Sequence, residues 1–120
     1  MANILILGAG SMGMTFSFPC SDNNHVVSII GTHLENDFID QINSKKKHPA
    51  LNCDVPKSVK FSKFEKLGEE INKKVDLVVV AVISKGIEWA SIELSKVMKS
   101  SERLNLLKGW SQAIRRTLIQ

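Results

Sequence analysis

Cysteine is scarce in this chain: two residues in 120, Cys20 and Cys53. Such a pair makes no disulfide framework. A reduced cytoplasmic setting fits it, with both thiols inert. Tyrosine is absent, and the aromatics are two tryptophans and five phenylalanines. The only basic run is Lys45-Lys46-Lys47, which reads as a solvated helix end. Nucleic-acid binding calls for a broader basic stripe interleaved with aromatics, so that class is set aside. The longest unbroken apolar run, Leu77 to Ile83, is far too short to span a bilayer. Ile4 to Leu7 has no basic region before it and gives way at once to glycine, so no secretory signal is expected. His25 and His48 have no Cys, Asp or Glu at metal-ligand spacing. They read as structural or exposed, and no metal is expected. No nucleophile–base pair can be nominated.

What remains is the composition of an ordinary folded domain. It is 43% hydrophobic and 23% charged, with a formal net charge of +4 that favours anionic ligands without choosing among them. Ala2 to Leu7 predicts a strand buried on both faces, since Ile4 to Leu7 is a continuous apolar run. A helix follows from Ser11, and Pro19 predicts a kink or stop near Phe18. His25 to Ile30 is β-branched and predicts a second strand. Thr32-His33-Leu34-Glu35 has capping-box form, predicting a helix from about His33 to Lys46 that ends before Pro49. Residues 49–57 read as a loop, Val59 to Phe61 as a short strand, and Phe64 to Lys74 as a helix. Val75 to Ile83 is the clearest strand, expected to be central and parallel. A helix from Ser84 or Lys85 and a fifth strand at Leu104 to Leu107 complete the alternation. The expected fold is α/β: a Rossmann-type open parallel sheet with helices on both faces, truncated after about five strands.

Gly8-Ala9-Gly10-Ser11-Met12-Gly13 joins the first strand to the first helix. A Gly-x-Gly-x-x-Gly string alone is a weak signal; between a buried strand and a helix, with a second strand close behind, it is a strong one. Gly8 permits the tight turn, Gly10 leaves room for a pyrophosphate, and Gly13 lets the helix pack on the strand. Ser11 and Met12 then present backbone N–H groups at a helix N-terminus, where anions are favoured. The plain alternative is a tight turn with no ligand.

The end of the second strand bears on cofactor choice. An acidic residue there binds ribose hydroxyls and favours NAD. The chain has Gly31-Thr32-His33 instead, and Glu35 comes late and suits the capping box. A 2′-phosphate is then not repelled. Thr32 could donate to it and His33 lies near a positive helix end, so NADP is slightly favoured over NAD. N-cap duty for Thr32 and simple exposure for His33 are equally good accounts. Ser84, after the clearest strand, faces a cofactor or caps the next helix.

The stretch Asn3-Ile4-Leu5-Ile6-Leu7-Gly8-Ala9-Gly10-Ser11-Met12-Gly13 resembles the start of bacterial NAD(P)-dependent glycerol-3-phosphate dehydrogenases. Val26 to His33 resembles that family's second strand. His48-Pro49 with Val59-Lys60-Phe61 resembles its next segment. Val78 to Ser84 resembles its strand ending in Val-Pro-Ser, and Leu107-Lys108-Gly109 its Thr-Lys-Gly. The resemblance covers about residues 2–109. It implies cofactor contacts from Ser11, Met12 and His33, and places Lys108 near cofactor and substrate phosphate. Met12 stands where Trp is commoner, Ile83 where Pro precedes the serine, and His33 where Arg is usual. Trp110 to Gln120 departs from the pattern.

The resemblance implies an NAD(P)-binding domain at 1–109, a divergent tail at 110–120, and a helical catalytic domain absent from this chain. No catalytic residue is expected here, and the chain by itself is expected to be inactive. The resembling enzymes reduce dihydroxyacetone phosphate to glycerol 3-phosphate for phospholipid synthesis. Expected partners are the dinucleotide and a small phosphorylated substrate, with no nucleic acid and no membrane; a homodimer is allowed. Two rivals stand beside this: another two-domain reductase of the ketopantoate reductase or hydroxyacid dehydrogenase type, and a free-standing nucleotide-binding regulatory module.

Overall fold

The computed structural model describes residues 2–82 and 86–97. The elements are β1 (Asn3–Leu7), α1 (Ser11–Asp22), β2 (Val26–Ile30), α2 (Asn36–Lys45), β3 (Lys47–His48), β4 (Cys53–Asp54), β5 (Lys60–Ser62), a 3-10 turn (Phe64–Lys66), α3 (Leu67–Asn72), β6 (Leu77–Val80) and α4 (Ile87–Val97). Four of the strands form a parallel sheet in the order β5-β2-β1-β6.

The apolar run of β1 is explained by this position. It is flanked by β2 and β6 and covered on both faces. Ile4 and Ile6 point to one face and pack with Val27 and Ile29, with Met14 and Cys20 from α1 and with Ile39 and Ile42 from α2. Leu5 and Leu7 point to the other face and pack with Leu67 and Ile71 from α3 and with Ala90 and Leu94 from α4. Period-two alternation in the strand thus serves two separate cores. Helices lie on both faces, as expected.

Four local expectations need correction. First, of the kink or stop expected near Phe18, the stop does not occur: α1 runs through Pro19 to Asp22. Proline removes the N–H that would reach the Thr15 carbonyl, but Thr15 is exposed, so water can satisfy that oxygen. The Pro19 carbonyl accepts from the Asn23 backbone and side chain, closing the last turn. Second, α2 begins at Asn36 rather than His33, because Thr32 to Glu35 forms a turn closed by Glu35 N–H to the Thr32 carbonyl at 3.0 Å. Third, the expected loop at 49–57 contains β4, which pairs antiparallel with β3 in a separate two-stranded ribbon. Fourth, the helix expected over Phe64 to Lys74 opens with a 3-10 turn and ends at Asn72.

β6 is parallel, and among the described residues it pairs with β1 alone. The expected fifth strand at Leu104 to Leu107 and the tail from Gly109 lie outside the described residues. No helix among the described residues is long and apolar enough to cross a membrane.

Candidate functional site at the carboxyl ends of β1 and β6

The chain leaves β1, builds β2 and β5 on one side, then crosses back to place β6 on the other side of β1. Between strands whose connections run in opposite directions, a crevice opens at the carboxyl ends. The glycine turn sits there. Gly8 donates to the Ile30 carbonyl at 2.8 Å, and Ala81, just beyond β6, donates to the Leu7 carbonyl at 2.8 Å.

The three glycines have different environments. Gly8 has φ +119°, and a Cβ there would lie 2.2 Å from the Ala81 carbonyl oxygen. Both its backbone angle and its neighbour require glycine. A Cβ on Gly13 would lie 2.2 Å from the Gly8 carbonyl oxygen, so α1 packs directly against the turn. A Cβ on Gly10 would meet nothing within 4 Å. Gly10 alone faces open space.

Gly10 is also the N-cap of α1, which carries no side-chain cap bond and no acidic residue in its first turn. The first intrahelical bond is Met14 N–H to the Gly10 carbonyl at 3.0 Å. The N–H groups of Ser11, Met12 and Gly13 precede it and have no carbonyl within the helix to bond. They face a region free of competing carboxylates on the helix itself and carry the positive end of its dipole. Ser11 and Met12 are exposed, Met12 at 72%. An anionic diphosphate fits this arrangement: open space beside Gly10, unpaired donors and no repelling charge in the first turn.

Thr32 and His33 follow β2 on the same end of the sheet. Thr32 is half-buried and its backbone N–H donates to Glu35 Oε1 at 2.8 Å. That is the glutamate half of the expected capping box. The same Oε1 also accepts from Ala9 N–H at 3.1 Å, so Glu35 ties the glycine turn to the end of β2. His33 is exposed, and its ring lies 4.5 Å from that of Trp89 at the start of α4. Trp89 in turn meets Phe64 at 5.1 Å. These rings come from three segments that the sequence alone does not bring together. Ser84 and Lys108 lie outside the described residues.

The other two histidines each make hydrogen bonds with backbone groups. His25 Nδ1 accepts from Ala2 N–H at 2.9 Å. His48 is fully buried and touches the glycine turn, its Nε2 lying 2.9 Å from the Ala9 carbonyl oxygen. Nothing in the sequence pattern marks His48 as a neighbour of that turn, because β3 reaches it only through the tertiary fold. Among the described residues no group of three or more potential ligands could hold a metal. A hollow of about 440 Å³ lies away from the turn, between Ile42 of α2, its C-cap Lys46 and the 54–57 segment.

A parallel sheet with this crossover and a glycine turn at its switch point defines a dinucleotide-binding α/β domain of the Rossmann type. Comparison with known proteins makes this particular. Residues 3–120 match the family described as NAD-dependent glycerol-3-phosphate dehydrogenase N-terminus, and the chain belongs to that family. A glycerol-3-phosphate dehydrogenase [NAD(P)+] from Exiguobacterium sp. is 31% identical over 98 residues, covering 82% of this chain and 28% of the relative. An NADP(+)-dependent glycerol-3-phosphate dehydrogenase from Archaeoglobus fulgidus is 40% identical over 48 residues, covering 40% of this chain and 14% of the relative. The crystal structure of glycerol-3-phosphate dehydrogenase from Coxiella burnetii superposes with a TM-score of 0.71 at 19% identity, covering 82% of this chain and 30% of that one. The fold is therefore shared, and the chain spans less than a third of the length of these relatives. The family match runs on through residues 110–120.

Proposed function

We propose that this chain is the cofactor-binding part of an enzyme that reduces dihydroxyacetone phosphate to glycerol 3-phosphate with NADH or NADPH. The carrying observation is the contrast among the glycines: Gly8 and Gly13 are packed against backbone, while Gly10 borders open space at an uncapped helix N-terminus. In this reading the pyrophosphate lies against Gly10 and accepts from the N–H groups of Ser11, Met12 and Gly13. Gly8 and Gly13 set how closely turn and helix approach the strand. Met12 covers one side of the bound cofactor. When bound, the nicotinamide supplies the hydride.

Adenosine is proposed to lie toward Thr32 and His33, with Trp89 and Phe64 behind them as an aromatic wall. The NADPH preference suggested by residues 31–33 is modest for a structural reason. Glu35 brings a carboxylate to the end of β2, where two backbone donors hold it. A fixed negative charge there opposes a 2′-phosphate. Ser84 and Lys108 are proposed as further cofactor contacts, with Lys108 also near the substrate phosphate. Residues 1–109 form the cofactor unit in this proposal, with 110–120 as a separate tail. The proposed setting is cytoplasmic, in supply of glycerol 3-phosphate to phospholipid synthesis, with no nucleic-acid or membrane partner. Both described cysteines are free thiols, as that setting requires.

Calorimetric titration of the chain with NADH and NADPH tests the reading. Saturable binding is expected, and Gly10→Val should abolish it by filling the open space while leaving the melting temperature close to that of the unsubstituted chain. Equal binding by both proteins would refute the proposal.

A further inference from the structure

Both hydrogen-bonding groups of Ala9 are taken by side chains from distant segments. Its N–H donates to Glu35 Oε1 at 3.1 Å, and its carbonyl oxygen lies 2.9 Å from His48 Nε2. The geometry fixes the imidazole tautomer. Leu51 N–H donates to His48 Nδ1 at 3.2 Å, so Nδ1 is the bare nitrogen and Nε2 carries the hydrogen that goes to Ala9. The ring is 0% exposed and stands edge-on to Phe38 at 5.0 Å.

The consequence lies one bond further on. The Ala9 carbonyl and the Gly10 N–H belong to one planar trans peptide and point in opposite directions. With the carbonyl turned inward to a buried imidazole, the Gly10 N–H is turned outward. Gly10 places no steric bar on rotating this peptide, since glycine adopts either sign of φ. Without the His48 donor, the buried carbonyl would lose its partner, and rotation toward water would relieve it. A rotated peptide presents a carbonyl oxygen where a pyrophosphate needs a donor.

We propose that His48 is a positioning residue for dinucleotide binding: by donating from Nε2 to the Ala9 carbonyl, it holds the Gly10 N–H toward the cofactor pyrophosphate. This rests on the dinucleotide reading above and adds a determinant from outside the glycine motif. Glu35 fixes the preceding peptide in the same way. Its bond fixes the direction of the Ala9 N–H, and the Gly8 carbonyl oxygen faces Gly13 of α1.

Two substitutions separate positioning from structural support. His48→Gln carries an amide N–H that can reach the Nε2 position but no acceptor at the Nδ1 position. His48→Asn does the reverse: it keeps an acceptor for Leu51 N–H and cannot reach Ala9. Each removes one of the two hydrogen bonds of the imidazole, the buried one to Ala9 in His48→Asn and the part-buried one from Leu51 in His48→Gln, so both should melt below the unsubstituted chain. NADH affinity, read by calorimetry, should stay near the unsubstituted value in His48→Gln and fall about three- to tenfold in His48→Asn. Without ligand, the Gly10 amide resonance should be retained in His48→Gln and displaced in His48→Asn. In the unsubstituted chain, nitrogen-15 spectra of the imidazole should show a protonated Nε2 and a bare Nδ1, a test that needs no variant. The opposite tautomer, an unmoved Gly10 resonance in His48→Asn, or equal NADH affinity in the two variants would each overturn the inference. No NADH binding by the unsubstituted chain would overturn the dinucleotide reading and this inference with it.

Discussion

Replacing Gly13 with alanine puts a methyl carbon 2.2 Å from the Gly8 carbonyl oxygen and 3.3 Å from the Ala81 side chain. The first neighbour is backbone in a turn already held by Gly8 N–H to Ile30 and Ala9 N–H to Glu35. It cannot swing aside as a side-chain tip would, so α1 must back away from β1. Overpacking of this kind costs about 1–3 kcal/mol. In a domain of this size that lowers the melting temperature by roughly 5–20 °C. Gly10→Ala is the matched control. Its φ of −70° suits any residue and its methyl group meets nothing. Loss of unfolded-state freedom stabilises it by about 0.4–1 kcal/mol, and the preference for glycine over alanine at an N-cap offsets a similar amount. The expected pattern is a large drop in melting temperature for Gly13→Ala and a shift under about 5 °C for Gly10→Ala. NADH binding should weaken in both, through a displaced helix in one and an obstructed pyrophosphate in the other. Circular-dichroism melts and parallel NADH titrations check this. Equal melting temperatures for Gly13→Ala and the unsubstituted chain would refute the close helix–strand contact.

Three further outcomes are expected. Burial alone would raise the Glu70 pKa, but hydrogen bonds from Lys60 at 2.6 Å and Lys73 at 3.1 Å outweigh it and hold the carboxyl below its usual 4.5. A folded value below the unfolded one stabilises at pH above the ordinary carboxylate range, and that stability is lost as pH falls through the native value. Glu70→Gln should therefore cost about 1 kcal/mol at neutral pH, kept small by the exposure of both lysines, and the gap should close in acid; urea melts showing the same gap at pH 7 and pH 3 would contradict this. Glu35→Gln keeps an acceptor for Ala9 and Thr32 while removing the charge, so the ratio of NADPH to NADH affinity should rise severalfold, and an unchanged ratio would remove Glu35 from cofactor choice. Finally, the 120-residue chain should not oxidise NADPH or NADH with dihydroxyacetone phosphate, since hydride transfer needs the ketone held in near-attack geometry beside a proton donor. Turnover above the no-protein control that also falls in Lys108→Ala would show catalytic machinery where none is expected.

The main architecture was legible because it rests on local patterns. The apolar run Ile4 to Leu7 required a strand covered on both faces, and the spacing of Gly8, Gly10 and Gly13 marked the turn after it. The alternation of β-branched stretches with helical ones required parallel strands. The differences fell where the surroundings in the fold overruled a local rule. Pro19 did not end α1: Thr15, whose carbonyl loses its helical donor, is an exposed residue. Lys47-His48 and Cys53-Asp54 pair only when the segment folds over α2, and neither dipeptide is long enough to announce a strand.

Sequence alone determined that β1, the glycine turn and α1 form the strand–turn–helix corner proposed to hold the pyrophosphate. Strand burial, glycine freedom and helix polarity act within a few residues of one another. Only the tertiary structure decided what holds that corner in place. Glu35 reads locally as half of a capping box, and its carboxylate also reaches Ala9 in the turn, 26 residues away. His48 reads as a lone histidine before a proline, and it is buried against the same residue 39 positions away. A side-chain bond to one backbone carbonyl leaves no periodicity and no spacing rule in the chain. It exists only because the tertiary fold carries the start of α2 and the end of β3 up to the glycine turn, which brings those two side chains to the only residue between Gly8 and Gly10.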